Sequence, residues 1–352
     1  MNNTNSKLQA IRWSRPKLTI LNQLELPHKT EYIEIADSTA GHYAITTMQT
    51  RGAPAIAIVA ALSLAAEVSM MGPSDNDEMA MHINTRLDYL KTSRPTAVNL
   101  FDAIAKLKRV VREAQGSVAE AYVCAAEQML EADIRDNKMI GEHGARFIQS
   151  LGTGKKVLTH CNTGALATAG HGTALGIVRT LKPPHVFYTE TRPYNQGARL
   201  TGYELLVEQI PATLVCDSAV SALLQRDPTI VAIVVGADRV ARNGDTANKI
   251  GTYQLAITAK YHNRAFVVAA PMTSIDLELS EGKGVVVEER SEEEITWAGG
   301  RRVVPEGTRA WNPSFDVTPA CLISAIVTER GVFTKNEGED VYDLATQVPQ
   351  EN

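Results

Sequence analysis

The stretch VLTHCNTGALATAGHGTALGIVR, Val157 to Arg179, decides the fold. Val157, Leu158 and Thr159 make a short apolar run behind the charged Lys155-Lys156, the pattern of a buried parallel strand. A small-residue run that reads as a helix begins near Gly164. Cys161 then stands at the carboxyl end of a strand and before a helix amino terminus. In open α/β sheets ligands bind at such places, because the loops converge there and helix amino termini direct backbone N–H groups at the ligand. Cysteine is also one of the residues most often buried as a small hydrophobe, and spacing alone leaves both roles open.

Beyond Arg179 the chain alternates strand and helix. His185 to Glu190, Thr213 to Cys216, Ile230 to Val235 and Ala265 to Ala270 read as strands. Leu200 to Gln209, Ser218 to Leu224 and a helix opened by Asn248-Lys249-Ile250-Gly251 and running through Tyr261 lie between them, with Arg239 to Thr246 as a loop. A last helix is expected between Thr318-Pro319 and Gly331. This alternation predicts a doubly wound parallel sheet. It places the thiol of Cys161 and the carboxylate of Asp238 at strand ends on one edge of the sheet, with Gln196, Asn248 and Lys249 in equivalent loops. An aspartate after an apolar strand also serves as a helix cap or turn former. Neutral amides suit sugar hydroxyls, and lysine suits a phosphate.

Before this region the chain reads as a smaller, mainly helical domain with a β-rich start. Leu18, Ile20 and Leu21 open a strand that Tyr32-Ile33-Glu34-Ile35 can pair with. Arg51-Gly52-Ala53-Pro54 leads an apolar helix to about Met70, with proline in its first turn. An arginine and a glycine at a helix amino terminus form a phosphate cradle as readily as an ordinary helix start. Ser93-Arg94-Pro95-Thr96 is a second arginine-bearing turn, followed by helices from about Ala97 to Arg112 and from Val118 to Ser150, where Gly141 and Gly144 are possible breaks. The boundary is expected at Gly152-Thr153-Gly154-Lys155-Lys156, which separates a domain of residues 1–151 from one of residues 152–352. That segment mimics a P-loop but lacks Ser or Thr after Lys155 and precedes its strand; Gly170-His171-Gly172 is an equally partial dinucleotide fingerprint.

Composition bounds the function. The chain has 352 residues, 44% of them hydrophobic, and a formal charge of −5, which disfavours a nucleic-acid surface. No apolar run reaches the ~20 residues of a bilayer span, and the start MNNTNSKLQAIRW lacks a signal-peptide core, so a cytoplasmic location, with nuclear access, is expected. Cys124, Cys161, Cys216 and Cys321 are scattered without metal-ligand spacing, which implies neither a disulfide framework nor a structural metal.

Four segments in order, RGAPAI from Arg51, HCNTGALA from His160, ETRPYNQGARLT from Glu190 and GADRV from Gly236 continuing to Asn248-Lys249-Ile250-Gly251, resemble the methylthioribose-1-phosphate isomerase family of methionine salvage. The resemblance covers nearly the whole chain. It implies a Rossmann-like carboxyl-terminal domain, a homodimer, no metal and no cofactor. It assigns catalysis to Cys161 and Asp238, and substrate contacts to Arg51, Gly52, Ala53, Arg94, Gln196, Asn248 and Lys249. The implied substrate is a sugar phosphate, with no nucleic-acid or membrane partner. Gly202-Tyr203 departs from the Ala-Trp that many members carry. In the implied reaction an aldose 1-phosphate becomes a ketose 1-phosphate, with Asp238 as the acid that opens the ring and Cys161 acting at C2. Asp238 must then be protonated near neutral pH, a state that apolar burial favours. The same fold family includes ribose-1,5-bisphosphate isomerase and regulatory subunits of the guanine-nucleotide exchange complex of translation initiation; the subunits generally lack the cysteine and aspartate pair.

Overall fold

A computed structural model describes residues 8–72, 75–94, 98–152 and 156–347. The chain divides into two compact units, Met1–Asn137 with Gly164–Gly172, and Lys138–Thr163 with Thr173–Asn352. These differ from the segments 1–151 and 152–352 in two places: the division runs through a helix, and nine residues after the Cys161 strand return to the first unit. The core of the turn expected at Gly152 to Lys156, residues 153–155, lies outside the described residues.

The first unit opens with an antiparallel sheet of β1 (Ile11–Ser14), β2 (Lys17–Leu21) and β3 (Tyr32–Ile35). The expected pairing of the second and third strands is present, with Ile20 opposite Ile33. Helices α1 (Ser38–Thr46), α2 (Ala53–Met70), α3 (Asn76–Lys91), α4 (Val98–Glu113) and α5 (Val118–Ser150) come next. α2 is apolar on all faces and is buried from Ala55 to Ala66, as a central core helix must be. By length and composition it could cross a membrane; here it is the core helix of this unit. α5 runs unbroken through Gly141 and Gly144. A Cβ at Gly144 would overlap the Ile177 side chain, so this glycine serves close packing and does not end the helix.

The second unit is the doubly wound domain. Its elements in order are β4 (Lys156–Thr159), α6 (Ala174–Leu181), β5 (Val186–Thr189), α7 (Gly202–Val207), β6 (Ala212–Val215), α8 (Val220–Arg226), β7 (Ile230–Val235), β8 (Arg239–Ala241), β9 (Thr246–Lys249), α9 (Thr252–Tyr261) and β10 (Ala265–Ala269). Then come β11 (Ile275–Asp276), α10 (Glu293–Thr296), the hairpin β12 (Trp297–Ala298) and β13 (Arg301–Arg302), β14 (Phe315–Thr318), β15 (Ala325–Thr328) and β16 (Gly331–Phe333). The main sheet has the order β16-β15-β10-β7-β4-β5-β6, parallel except for β16.

Alternate side chains of one strand serve opposite faces of this sheet. Ile233 and Val235 of β7 pack with Phe266, Val268, Ile326, Leu255 of α9 and Leu224 of α8. Ala232 and Val234 pack with Val267, Val327, Leu175 and Ile177 of α6, and Leu205 of α7. Both faces are thus covered, which explains the continuous apolar runs.

Two expected elements are replaced. The helix expected before Gly331 is instead β15 and β16. Ala325-Ile326-Val327-Thr328 is fully buried and pairs with β10, so its β-branched side chains fill two core faces. Arg239 to Thr246 is not a loop: β8 and β9 form a hairpin around Arg242 to Asp245, where Gly244 has φ +88°.

Candidate active site

The strand order reverses between β4 and β7: β5 and β6 lie beyond β4, whereas the chain then returns to place β7 on its other side. Thr159 of β4 is level with Val234 of β7, so Cys161 and Gly236 each stand two residues past a paired position. A Cβ at Gly236 would come within 2.8 Å of Thr163 Cγ2, so the two exits leave the sheet side by side. Cys161 and Asp238 therefore flank the switch point, where open α/β sheets form their ligand crevice.

Cys161 is 7% exposed and has φ +61°, left-handed backbone that costs a non-glycine residue of order 1 kcal/mol. Hydroxyls grip it at both ends. Its N–H donates to Thr191 Oγ1 at 2.9 Å, and its carbonyl accepts a short hydrogen bond from the Thr201 hydroxyl. Thr191 (φ +60°) and Asn195 (φ +55°) are left-handed as well, in the loop after β5. Asp217 fixes that loop by accepting from the N–H groups of Thr191 and Arg192 at 2.8 and 2.7 Å.

Gln196 is buried at the start of a π-helical turn, Gly197–Thr201, that leads into α7. A Cβ at Gly197 would overlap the Thr189 carbonyl, so glycine is required for the loop to fold back on β5. Gly202 leaves similar room: a Cβ there would lie 2.9 Å from the Tyr188 hydroxyl, while nothing in the structure explains Tyr203.

Asp238 is half-buried, and its N–H donates to the Ala247 carbonyl at 3.0 Å. Arg239 pairs with Ala247, so continuing the register by one residue sets Asp238 opposite Asn248. Asn248 and Lys249 thus belong to strand β9 and do not open a helix; Gly251, at φ +100°, separates that strand from α9. Asn248 is 5% exposed and its Nδ2 is among the buried polar atoms without a hydrogen-bond partner. Such a donor costs ~1–3 kcal/mol until an acceptor reaches it. Lys249 Nζ lies 4.5 Å from the Phe315 ring centroid. Asp316, level with Asn248 on β14, accepts from the N–H groups of Gly251 and Tyr253 at 2.7 and 3.0 Å. Burial lifts its carboxyl to about 6, against the pull of those two hydrogen bonds.

His160, between β4 and Cys161, is 2% exposed, and burial pushes its imidazole below the ordinary histidine range. A cavity of about 180 Å³ opens beside it, lined also by Thr189, Arg192, Asp217, Ile250 and Gln254. Neither Cys161 nor Asp238 lines that cavity.

In the first unit, Arg51, Gly52 and Ala53 form the half-buried corner where α2 begins. Gly52 has φ +93° and ψ 132° and packs directly on Ala167. Arg94, half-buried, comes after the end of α3, while Pro95 and Thr96 lie outside the described residues. The stretch after Gly164 is an irregular loop, and the first helix begins at Ala174. The reason is local. Thr168 Oγ1 accepts from Gly172 N–H at 3.1 Å and Gly172 has φ +85°, so a side chain competes with the helical hydrogen bonds that Ala165 to Ala169 would otherwise make. The helix amino terminus expected near Gly164 is therefore displaced to Ala174. Ala169 N–H donates to Asp133 of α5 at 2.7 Å, and burial raises that carboxyl to about 7.

Sequence reasoning passed over His160, Thr189, Thr191 and Asp133. Three of them stand inside or beside the HCNTGALA and ETRPYNQGARLT segments, but no spacing rule marks a threonine hydroxyl at a strand end. Among the described residues, no group of three or more His, Cys, Asp or Glu side chains has a metal-holding arrangement.

Comparison with known proteins agrees with this architecture. Residues 49–335 match the initiation factor 2 subunit family. The methylthioribose-1-phosphate isomerase of Populus trichocarpa is 54% identical over 96% of this chain and 94% of its own length; that of Pyrenophora tritici-repentis is 52% identical over 96% and 95%. Among solved structures, 5-methylthioribose 1-phosphate isomerase from Pyrococcus horikoshii OT3 superposes with a TM-score of 0.89 at 35% identity, covering 95% of each chain. The translation initiation factor eIF-2B, subunit delta, from A. fulgidus superposes at 0.84 with 39% identity, over 93% of this chain and 96% of that one. The chain belongs to the initiation factor 2 subunit family, and within it groups with the relatives named methylthioribose-1-phosphate isomerase.

Proposed function

We propose that this chain is an aldose–ketose isomerase, an intramolecular oxidoreductase that converts 5-methylthioribose 1-phosphate into 5-methylthioribulose 1-phosphate. The observation that carries the reading is the placement of a thiol, Cys161, and a carboxyl group, Asp238, on adjacent strand exits at the switch point. The buried Asn248 amide in register with Asp238 supplies a donor for a sugar oxygen. Protonated Asp238 gives its proton to the ring oxygen as the C1–O bond breaks. Cys161, as thiolate, takes the proton from C2, and an enol phosphate forms. The C2 hydroxyl then returns a proton to Asp238 as C2 becomes a carbonyl, while C1 receives the proton held on sulfur. Both groups end as they began, so the cycle needs no external acid, oxidant or metal. Gln196 and Lys249 contribute sugar and phosphate contacts, and Arg51 and Arg94, with the Gly52-Ala53 corner, supply the remaining phosphate contacts.

Assays on methylthioribose 1-phosphate and ribose 1,5-bisphosphate side by side decide the substrate. Cys161→Ser and Asp238→Asn should each lower kcat by about 10²-fold or more with KM little changed, and the double variant should be little worse than the worse single one. Turnover in D₂O should place solvent deuterium at C1 to the extent that the proton held on sulfur exchanges before it returns; deuterium at C1 would exclude a hydride shift. Near-normal kcat in either folded variant would remove the pair from the chemistry and favour a binding role like that of the translation factors. A homodimer in the cytoplasm, with nuclear access, completes the proposal, to be checked by sedimentation and by cell fractionation.

A further inference from the structure

A chain of hydrogen bonds runs across the carboxyl edge of the sheet, from the end of β9 to Cys161. It can be oriented from one fixed point. The Ile250 carbonyl only accepts, so His160 Nε2, 2.9 Å away, must carry a proton and donate to it. A buried imidazole held neutral then presents a lone pair at Nδ1, and the Thr189 hydroxyl, at 2.6 Å, donates to it. Thr189 Oγ1 is left as an acceptor for the Thr191 hydroxyl at 3.4 Å, a proton that the Thr189 carbonyl at 3.5 Å shares, and Thr191 Oγ1 accepts the Cys161 N–H at 2.9 Å. In this orientation the hydrogen bonds of the relay all point the same way, with the Thr191 hydroxyl shared between the side chain and the carbonyl of Thr189. The charged groups around the imidazole are Asp217 and Lys249, with Arg192 on the wall of the shared cavity. The two ends of the chain are the left-handed Cys161 and the residue next after Lys249.

We propose that His160, Thr189 and Thr191 are positioning residues that hold the Cys161 backbone in its left-handed conformation and fix it in register with the Asn248-Lys249-Ile250 strand end. Cys161 is then placed by a relay anchored on another loop of the site, with no contact from the relay to its sulfur required. The inference rests on the proposed role of Cys161, but its test does not depend on turnover alone.

Two matched pairs separate hydrogen bonding from packing: Thr189→Val with Thr189→Ser, and Thr191→Val with Thr191→Ser. Valine keeps the β-branch and removes the hydroxyl; serine keeps the hydroxyl and removes the methyl. Each valine form should lose about tenfold or more in kcat with KM within about twofold, because a displaced reacting group affects the transition state more than binding. Each serine form should stay within about threefold of the parent. The second readout is the rate at which iodoacetamide alkylates Cys161, measured by peptide mass spectrometry to set aside Cys124, Cys216 and Cys321. It should shift at least severalfold in both valine forms and return in both serine forms. His160→Leu removes both the acceptor for Thr189 and the donor for Ile250, and should behave as the valine forms do. Equal losses in serine and valine forms, including loss of folding in both, would assign the threonines to packing and overturn the relay. Unchanged alkylation and kcat in the valine forms would overturn it as well. If the parent turns over neither sugar phosphate, the proposed function fails, while the alkylation order still decides the relay.

Discussion

Replacing Gly52 by alanine probes the corner on which α2 and the Gly164–Gly172 loop meet within the first unit. Two independent costs apply. At φ +93° and ψ 132° the backbone occupies a region open essentially to glycine alone, and forcing an L-residue there costs ~1–3 kcal/mol. The new Cβ would also overlap the carbonyl oxygen of Ala167 and lie 2.5 Å from its Cα and 2.7 Å from its Cβ. Backbone cannot rotate away as a flexible side chain can, and overpacking of this kind costs a further ~1–3 kcal/mol. The loop is held where it is, by Gln23 Nε2 donating to the Leu166 carbonyl at 2.7 Å and by Ala55 N–H donating to Ala167 O at 3.3 Å, so relaxation is resisted. We expect Gly52→Ala to lower unfolding free energy by about 3 kcal/mol in urea denaturation. Gly72→Ala, which meets nothing within 4 Å, is the control and should be close to neutral. A Gly52→Ala loss below about 1 kcal/mol, with an unchanged urea slope, would refute the steric account of the corner.

Asp133, whose buried carboxyl is raised to about 7, should make stability fall as pH rises. Its folded pKa exceeds the unfolded value of 3.8, so the folded chain holds the extra proton between about 4 and 7; about three pKa units give up to ~4 kcal/mol lost across that window. Asp133→Asn should flatten the difference between urea midpoints at pH 5 and pH 8, and an unchanged difference would mean that Asp133 titrates normally. Arg51→Ala should lower kcat/KM by the ~1.5–3 kcal/mol of a charge-assisted contact, and Arg51→Lys should recover only part, since an ammonium lacks the bidentate fork. Steady-state kinetics with unaltered efficiency in Arg51→Ala would move the phosphate elsewhere. Activity should survive exhaustive treatment with EDTA; loss restored by a divalent ion would contradict acid–base chemistry by Cys161 and Asp238 alone.

The parallel strands were legible because burial on both faces leaves no alternative to continuous apolar runs. Ile230 to Val235 and Val157 to Thr159 needed nothing beyond that. The misread elements share a different cause, a local signal outweighed by a competing one. Thr318-Pro319 and Gly331 look like helix ends, yet the β-branched run between them pairs with β10, and Gly331, at φ +146°, starts the antiparallel β16. Asn243-Gly244 is a strong hairpin signal, but the flanking strands are only three and four residues long and escape a periodicity reading. The alanine-rich run after Gly164 favours helix by propensity, and the Thr168 hydroxyl overrides it. Cys161 and Asp238 were found correctly at strand exits even though the elements expected after them were wrong, because burial of the strand itself sets where it ends, whatever element comes next.

Scaffold likeness does not separate the chemistries found on this fold. The solved translation-factor subunit shares 39% identity with this chain and superposes at 0.84, whereas the solved isomerase shares 35% and superposes at 0.89. The two measures rank the activities in opposite orders, as expected when function resides in a few side chains on a shared frame. The discriminating features must be ones that a structural role alone would not retain. A left-handed cysteine at this exit is such a feature, because glycine would relieve the backbone strain but would remove the thiol. A buried amide donor without an acceptor, in register with a half-buried aspartate, is another, because an apolar residue would remove its cost. Both lie at the reversal of strand order, and both lose stability for the unliganded chain. A chain that kept this fold only for assembly would gain by discarding them, so their presence favours a site that binds and turns over a polar substrate.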